Sequence, residues 1–345
     1  MNILPTYHLE SVNRMAWTES DANLRSRNIL VTGAGGFIGG HLVKKLLNNG
    51  HNVFAVDIKP INRWWQLHHR ANNYSISVRD LNESMFSLGI IDDVYHLAAN
   101  MGGIGYITNH LVKCSENIVD TIALLNMCQT DQRIFFSSSA CVYPQWAQIN
   151  PNVGALREDF AIPADPEPGY GWEKLYGEHV MQCHNIERHL QTRIGRYHNI
   201  FGPHGSWNDG HEKAPAALCR KVAQAVITKD HTIDIWGDGE QTRSFLYVDD
   251  CVDGTIKITN SNYFYPFNVG SEELISINGL LDIIEEIANV KLTRYYQLDK
   301  PQGVRGRNSD SSLIKAKIGW EPTTSLRSGI ETTYEWIYDQ VKGQY

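Results

Sequence analysis

The sequence predicts an α/β protein built on a doubly wound parallel sheet, with a smaller C-terminal α/β lobe. Three observations predict it. Apolar runs of strand length alternate with segments whose apolar residues recur at helical spacing, the pattern of parallel strands joined by crossover helices. The first run, Asn28 to Thr32, leads directly into a glycine-rich turn and a helix. The second run, Asn52 to Val56, is closed by Asp57, 18 residues after the last glycine of that turn. At 345 residues the chain can hold one large domain or two moderate ones with an ample core.

Residues 1–26 are polar and irregular, with Trp17 as their main apolar anchor, and are expected to form an N-terminal arm. Residues 27–198 are expected to form a dinucleotide-binding domain, with a return contribution near 235–265. Residues 199–345 are expected to form mainly a substrate-binding lobe. The turn Gly33-Ala34-Gly35-Gly36-Phe37-Ile38-Gly39 carries a G-x-x-G-x-x-G pattern, a relative of the Rossmann fingerprint. Glycines there allow a tight turn, close approach to a pyrophosphate and close helix–strand packing. Gly33, Gly36, Phe37, Ile38 and Gly39 are therefore expected at the cofactor, with the following helix N-terminus facing its phosphates. An acid at Asp57 can bind the adenosine ribose hydroxyls and would repel a 2′-phosphate, which favours NAD over NADP. The plainer role for Asp57 is a strand-end cap.

Ser75 to Val78 reads as a third strand, ending near Asp80, which can approach the adenine amine. Asp93 to Ala99 reads as a fourth strand running into the loop Asn100-Met101-Gly102-Gly103-Ile104-Gly105. That loop is glycine-rich where a helix could have started, so its backbone amides can approach a ligand; Met101, Gly102 and Gly103 are expected at the substrate. A helix from His110 to Cys128 precedes a fifth strand, Arg133 to Ser137. Further on, a helix from Tyr170 to Cys183 and a strand from Thr192 to Tyr197 are expected. The chain then runs through a loop at Ile200–Gly205 to a helix at Ala214–Ala225.

The chemistry concentrates between Ser137 and Lys174. Tyr170 and Lys174 lie four residues apart, one turn along one helix face. An ammonium beside a phenol favours the phenolate. The pair can then take a proton from an alcohol as hydride leaves its carbon. Ser139, at the end of the preceding strand, can hydrogen-bond the same alcohol. Such a Tyr/Lys pair also occurs by chance; the serine run and the separate glycine fingerprint give it weight.

Composition narrows the partners. Apolar content of 42% and charged content of 20% fit a soluble globular protein. A net charge of -7 and a pI near 6.0 argue against nucleic acid as a partner. No apolar run approaches the ~20 residues of a membrane span, and Met1 to Ser26 lacks a charged-then-apolar leader pattern. Six cysteines show no C-x-x-C pairing, and the fourteen histidines form no H-E-x-x-H, so no metal site is expected. The cysteines read as reduced thiols of a cytoplasmic protein.

The residues Gly33/Gly36/Gly39, Ala98-Ala99, Ser137-Ser138-Ser139, Tyr170/Lys174, Asn199, Gly237-Asp238-Gly239 and Tyr247-Val248-Asp249-Asp250 together resemble an extended short-chain dehydrogenase/reductase acting on nucleotide sugars. Within that superfamily the chain most resembles the GDP-mannose 3,5-epimerases. The matching runs are Asn100–Gly103, Ser138–Pro144, Gly195–Pro203, Glu212–Ala217, Trp236–Phe245 and Gly303–Asp310. The resemblance implies NAD as cofactor, with Ala98 beside it, a nucleoside-diphosphate sugar such as GDP-mannose as substrate, and a homodimer formed through helices near 110–128 and 170–190. It assigns Tyr170 and Lys174 to oxidation and reduction at C4, and Cys141 and Lys213 to proton exchange at C3 and C5. Asn199, Arg243 and Arg305 are implied at the substrate, the arginines at its diphosphate, and Arg307 at a phosphate or sugar hydroxyl. The family usually carries Asp where this chain has Asn100, and residues 58–80, with Trp64 and Trp65, depart from its pattern.

The chemistry explains why two extra groups are needed. Oxidising C4 to a ketone makes the neighbouring C–H bonds acidic, because the carbanion spreads into an enolate. A base and an acid on opposite faces can then invert the carbon. Cys141, two residues after Ser139, and Lys213 suit those roles, since both can be tuned toward neutrality. The related 4,6-dehydratases carry an acidic pair where this chain has Ala140 and Cys141, and alanine transfers no proton. A 4-epimerase or a keto-sugar oxidoreductase remains the alternative enzyme. A redox-sensing scaffold is the non-enzymatic one, against which the intact Ser139, Tyr170 and Lys174 argue.

Overall fold

The computed structural model describes residues 25–87 and 90–345. The arm expected over residues 1–26, with Trp17, lies almost wholly outside the described residues. The large sheet has seven parallel strands in the order β11-β6-β5-β4-β1-β2-β3. They are β1 (Asn28–Thr32), β2 (Asn52–Asp57), β3 (Asn72–Ser75), β4 (Asp93–His96), β5 (Arg133–Ser139), β6 (Gln191–Tyr197) and β11 (Pro266–Val269). Strand order reverses between β1 and β4, so a crevice opens at their carboxyl ends, where such sheets bind ligands. The central strands β1 and β5 are buried on both faces, as a sheet covered by helices on both sides requires, while the edge strand β3 is largely exposed.

Helix α1 (Phe37–Asn48) follows the glycine turn and buries Leu42, Val43, Leu46 and Leu47 against β1 and β2. Two segments, α3 (Leu111–Ser115) and α4 (Asn117–Met127), occupy the space expected of one helix from His110 to Cys128, and a short helix α2 (Ile104–Ile107) already begins in the stretch expected as a glycine-rich loop. The helix is interrupted at Glu116, and the neighbouring Asn117 turns its side chain to clamp the backbone of Asn100: Asn100 N donates to Asn117 Oδ1 at 2.6 Å, and Asn117 Nδ2 donates to Asn100 O at 3.2 Å. The third strand also differs from expectation. It pairs at Asn72–Ser75, and the chain then turns at Ser77, whose side chain accepts from Arg79 N and opens a 3-10 turn over Val78–Asp80.

Helix α5 (Tyr170–Arg188) packs on β5 and β6. Beneath it a buried ion pair locks the layers. Glu178 accepts from Arg196 at 2.8 and 2.7 Å and from Ser138 Oγ at 2.5 Å. After a two-residue strand β7 (Ile200–Phe201), α6 (Ala214–Thr228) opens the smaller lobe. That lobe contains β8 (Thr232–Trp236) paired with β13 (Thr293–Gln297), and a three-stranded sheet of β9 (Thr242–Ser244), β12 (Leu274–Ser276) and β14 (Gly306–Arg307). Its core joins Leu218, Val222, Leu281, Ile284, Ile330 and Ile337 from α6, α8 (Ile277–Ala288) and α10 (Leu326–Lys342). Between these parts the chain returns to the large sheet through β10 (Leu246–Tyr247), α7 (Val248–Asn260) and β11, while α9 (Ser312–Ile318) packs beside β11. Residues 246–269 thus run beside the large sheet, while β9, inside the 235–265 stretch, pairs with β12 and β14 in the lobe. No described helix is long and apolar enough to cross a membrane.

Candidate active site

The cofactor side is built at the β1/β4 switch. Gly33 adopts φ +73°, and a side chain there would press within 2.8 Å of the Leu97 and Ala98 backbone. The turn therefore lies directly on the segment leaving β4, and Ala98 N donates to Thr32 Oγ1. Gly39 sits still closer, with room for no Cβ against the Gly33 carbonyl. No side chain caps α1 at Gly36, so its first amides are left for a ligand. Asp57 is buried at the end of β2 and accepts from Lys59 N, while Asp80 stands exposed on the turn after β3. Trp64, from the divergent region, lays its ring over Gly35 and donates to Lys59 O. A glycine cradle, an uncapped helix N-terminus and a strand-end acid fit a dinucleotide.

Tyr170 and Lys174 start α5, one turn apart and both buried, with the Lys174 Nζ 5.6 Å from the Tyr170 ring centre. Ser139 ends β5 and receives the Cys141 amide on its Oγ. Burial pushes the Tyr170 phenol well above its ordinary value, with Cys141 and Glu173 adding to it and Ser139 opposing. The expected lowering by Lys174 is not what the protein alone displays. Glu173, next along the helix, stands 3.6 Å from the Lys174 ammonium and draws on its charge. His96 lies between Thr32 Oγ1 at 2.8 Å and Thr121 Oγ1 at 3.1 Å. Burial, with Lys174 nearby, pulls it down to about 3, so it is a neutral spacer.

A cavity of about 410 Å³ opens between the large sheet and the lobe. It brings together Met101, Gly102, Gly103, Ser139, Cys141, Tyr170, Asn199, Lys213 and Arg243, all expected from sequence. Cys141 lies in the 3-10 turn after β5, and Lys213 is the N-cap of α6. Burial and then Glu167 raise the Cys141 thiol, against Arg307 and Lys213. Burial lowers Lys213. A protonated thiol thus faces an amine whose charge is weakened.

Arg305 stands apart from this group. It points to Asp238, at 2.9 and 3.1 Å, and does not line the cavity. Arg307, carried in by β14, lines it instead. Its guanidinium is oriented by Glu167 at 2.8 Å and Gln148 at 2.5 Å, and it approaches the Cys141 sulfur at 3.6 Å. Among the described residues, Arg243 hydrogen-bonds only carbonyl oxygens, of Thr242, Gln302 and Val304. Burial and then Arg307 pull it down to about 9. No described carboxylate forms a salt bridge with this guanidinium. Asn199, at φ 43°, donates to Ser244 O and faces the same space. Glu167, Gln148 and Glu173 were not foreseen; an acid just before the Tyr/Lys helix was the only trace of Glu167 in the sequence.

The NAD dependent epimerase/dehydratase family matches residues 29–270. The chain belongs to that family. A GDP-mannose 3,5-epimerase 1 of Oryza sativa subsp. indica is 39% identical over 317 residues, spanning 91% of this chain and 82% of that protein. Among solved structures, a UDP-glucose 4-epimerase of Thermotoga maritima with UDP-glucose superposes with a TM-score of 0.79 at 28% identity, covering 91% of this chain and 99% of that one. A UDP-glucuronic acid 4-epimerase of Bacillus cereus, in complex with UDP-glucuronic acid and NAD, gives 0.76 at 29%, covering 92% and 100%. For a member of the NAD dependent epimerase/dehydratase family, the cradle at Gly33–Gly39 with Asp57 is where the NAD would be held.

Proposed function

We propose that the chain is an NAD-dependent nucleotide-sugar epimerase that exchanges protons at C3 and C5 of a hexose, with GDP-mannose as substrate. One observation carries the reading: Cys141 and Lys213, from different parts of the chain, share one cavity with Ser139 and Tyr170. A 4-epimerase needs the last two; it has no use for the first two. When bound, NAD supplies a hydride acceptor for C4 and returns the hydride at the end. Tyr170, which the protein alone holds as the neutral phenol, must be ionised before it takes the C4 hydroxyl proton as that carbon is oxidised, and Ser139 orients the hydroxyl. The C4 ketone then acidifies the neighbouring C–H bonds. Lys213, its charge weakened by burial, can remove a proton, and Cys141, its thiol kept protonated, can return one to the other face. Tyr170 gives its proton back as C4 is reduced. Arg243, which no described carboxylate pairs, is the diphosphate anchor, while Arg307 keeps a positive charge at the sulfur. Ala140, where a dehydratase needs an acid, supplies none.

We read the outer faces of α3, α4 and α5 as a homodimer contact, since Val112, Val119, Trp172 and Tyr176 stand exposed on them. The unpaired cysteines suit a reducing, cytoplasmic setting. The test is incubation with GDP-mannose in deuterated water, followed by NMR and mass spectrometry. Deuterium at C3 and C5, with galactose- or gulose-configured products and loss of exchange in Cys141→Ala, supports the reading. Absence of exchange with NAD-loaded protein sinks GDP-mannose as substrate.

A further inference from the structure

The Lys213 side chain makes no hydrogen bond among the described residues, so its placement depends on the backbone that carries it. That backbone is fastened to the glycine loop that lines the same cavity. Gly103 N donates to His211 O at 3.0 Å, and His211 Nδ1 lies 3.4 Å from Met101 O. The two segments lie so close that a Cβ on Gly103 would come within 2.7 Å of Glu212 O. Tyr106, on α2, is sandwiched between two imidazoles. His110 stacks on it at 4.1 Å and 14°, and His211 lies tilted against it at 4.2 Å and 36°. Its hydroxyl donates to Asn100 Oδ1 at 2.6 Å, and Asn100 is in turn clamped by Asn117 of α4. A continuous line of contacts therefore runs from α4 through Asn100, Tyr106 and His211 to Lys213.

From this line we infer that Tyr106 is a positioning residue for Lys213: its sandwich between His110 and His211 holds the 209–213 segment across the cavity from Cys141. The inference deepens the epimerase reading and rests on it for the identity of the affected step. The ring does the holding through one stacked and one tilted ring contact, and the hydroxyl only fixes its rotation. Loss of the ring should displace Lys213 while leaving Ser139, Tyr170 and Lys174, which are mounted on β5 and α5, in place.

The test compares Tyr106→Leu, Tyr106→Phe and His211→Leu in the NAD-loaded protein. With GDP-mannose in deuterated water, the leucine variants should slow deuterium entry into the sugar by about tenfold or more, the scale of misplacing a reacting group. C4 oxidation, followed as transient NADH absorbance, should stay within about twofold, and Tyr106→Phe should keep both rates near wild type. Equal loss of both rates, or a phenylalanine variant as slow as the leucine one, overturns the inference. A second arm needs no substrate. Iodoacetamide labelling of Cys141, read by peptide mass mapping, should quicken in Tyr106→Leu and not in Tyr106→Phe, because Tyr106 packs against the apolar cluster that buries the thiol. Unchanged labelling in the leucine variant overturns it. If wild-type protein fails to turn over GDP-mannose but this labelling pattern appears, the substrate reading falls and the positioning role stands.

Discussion

Cys141 and Lys213 are shifted in opposite directions by the same burial, the thiol upward and the ammonium downward. The proton-exchange rate should therefore rise with pH as Lys213 loses its proton, at a pH below that of an ordinary lysine. It should fall only as Cys141 ionises, above the range of an ordinary thiol. A pH profile of deuterium incorporation checks both limbs, and iodoacetamide labelling of Cys141 against pH checks the second separately. Tyr170→Phe removes the proton carrier at C4 and should lower turnover by about 10²–10⁴-fold with the melting temperature unchanged. Glu178→Ala has the opposite signature. It leaves the Arg196 charge buried without its carboxylate and should cost about 3–5 kcal/mol of stability, measured by urea unfolding.

Helix α5 approaches the Cys141 turn and β5 closely at two glycines of its buried face. A side chain at Gly171 would stand 2.4 Å from the Cys141 carbonyl, and one at Gly177 would stand 2.6 Å from the Phe136 ring. Gly177→Ala should cost about 1–3 kcal/mol in thermal or urea unfolding, because the helix must lift from β5. At this level the sequence was informative where a signal is local. The strand–glycine turn–helix unit at 28–48 and the Tyr/Lys helix are written in contiguous residues, so both were legible. The break at Glu116 was not, since it accompanies a pairing between Asn117 and Asn100 that spans 17 residues. The third strand was misplaced for a related reason. Its register follows pairing of Asn72–Ser75 with β2, whereas Ile76 to Val78 are merely the more apolar neighbours. Arg305 and Arg307 are two residues apart and chemically identical; only the fold, by offering Asp238 to one and Glu167 to the other, separates them.

The molecule divides its labour between two bodies of chain. The large sheet supplies the cofactor cradle, Ser139, Cys141 and the Tyr/Lys pair, and the lobe supplies Lys213, Arg243 and Arg307. The outer surface of the sheet's helices carries exposed apolar side chains, with Val112 at 73% and Tyr176 at 54%. If those faces meet in a dimer, light scattering should give about twice the 39.1 kDa chain mass, and Val112→Glu with Trp172→Glu should give a monomer. Sequence patterning exposed the layered sheet at this scale. It could not expose the cavity, because segments that meet there, such as those of Gly103 and His211, are far apart along the chain.

Arg243 has one further consequence. A cation buried among carbonyls is relieved by any diphosphate that reaches it, whatever sugar hangs from the far end. Substrate, product and the bare nucleotide should therefore all raise the melting temperature, by the linkage of binding to folding. If Arg243 is the diphosphate anchor, the grip falls on the portion of the ligand that the reaction never alters. Such a catalyst recognises its cargo by the handle and is indifferent to which epimer it carries. It should let go of a mixture set by the relative stabilities of the free sugars, run equally well from either end, and be throttled by spent nucleotide.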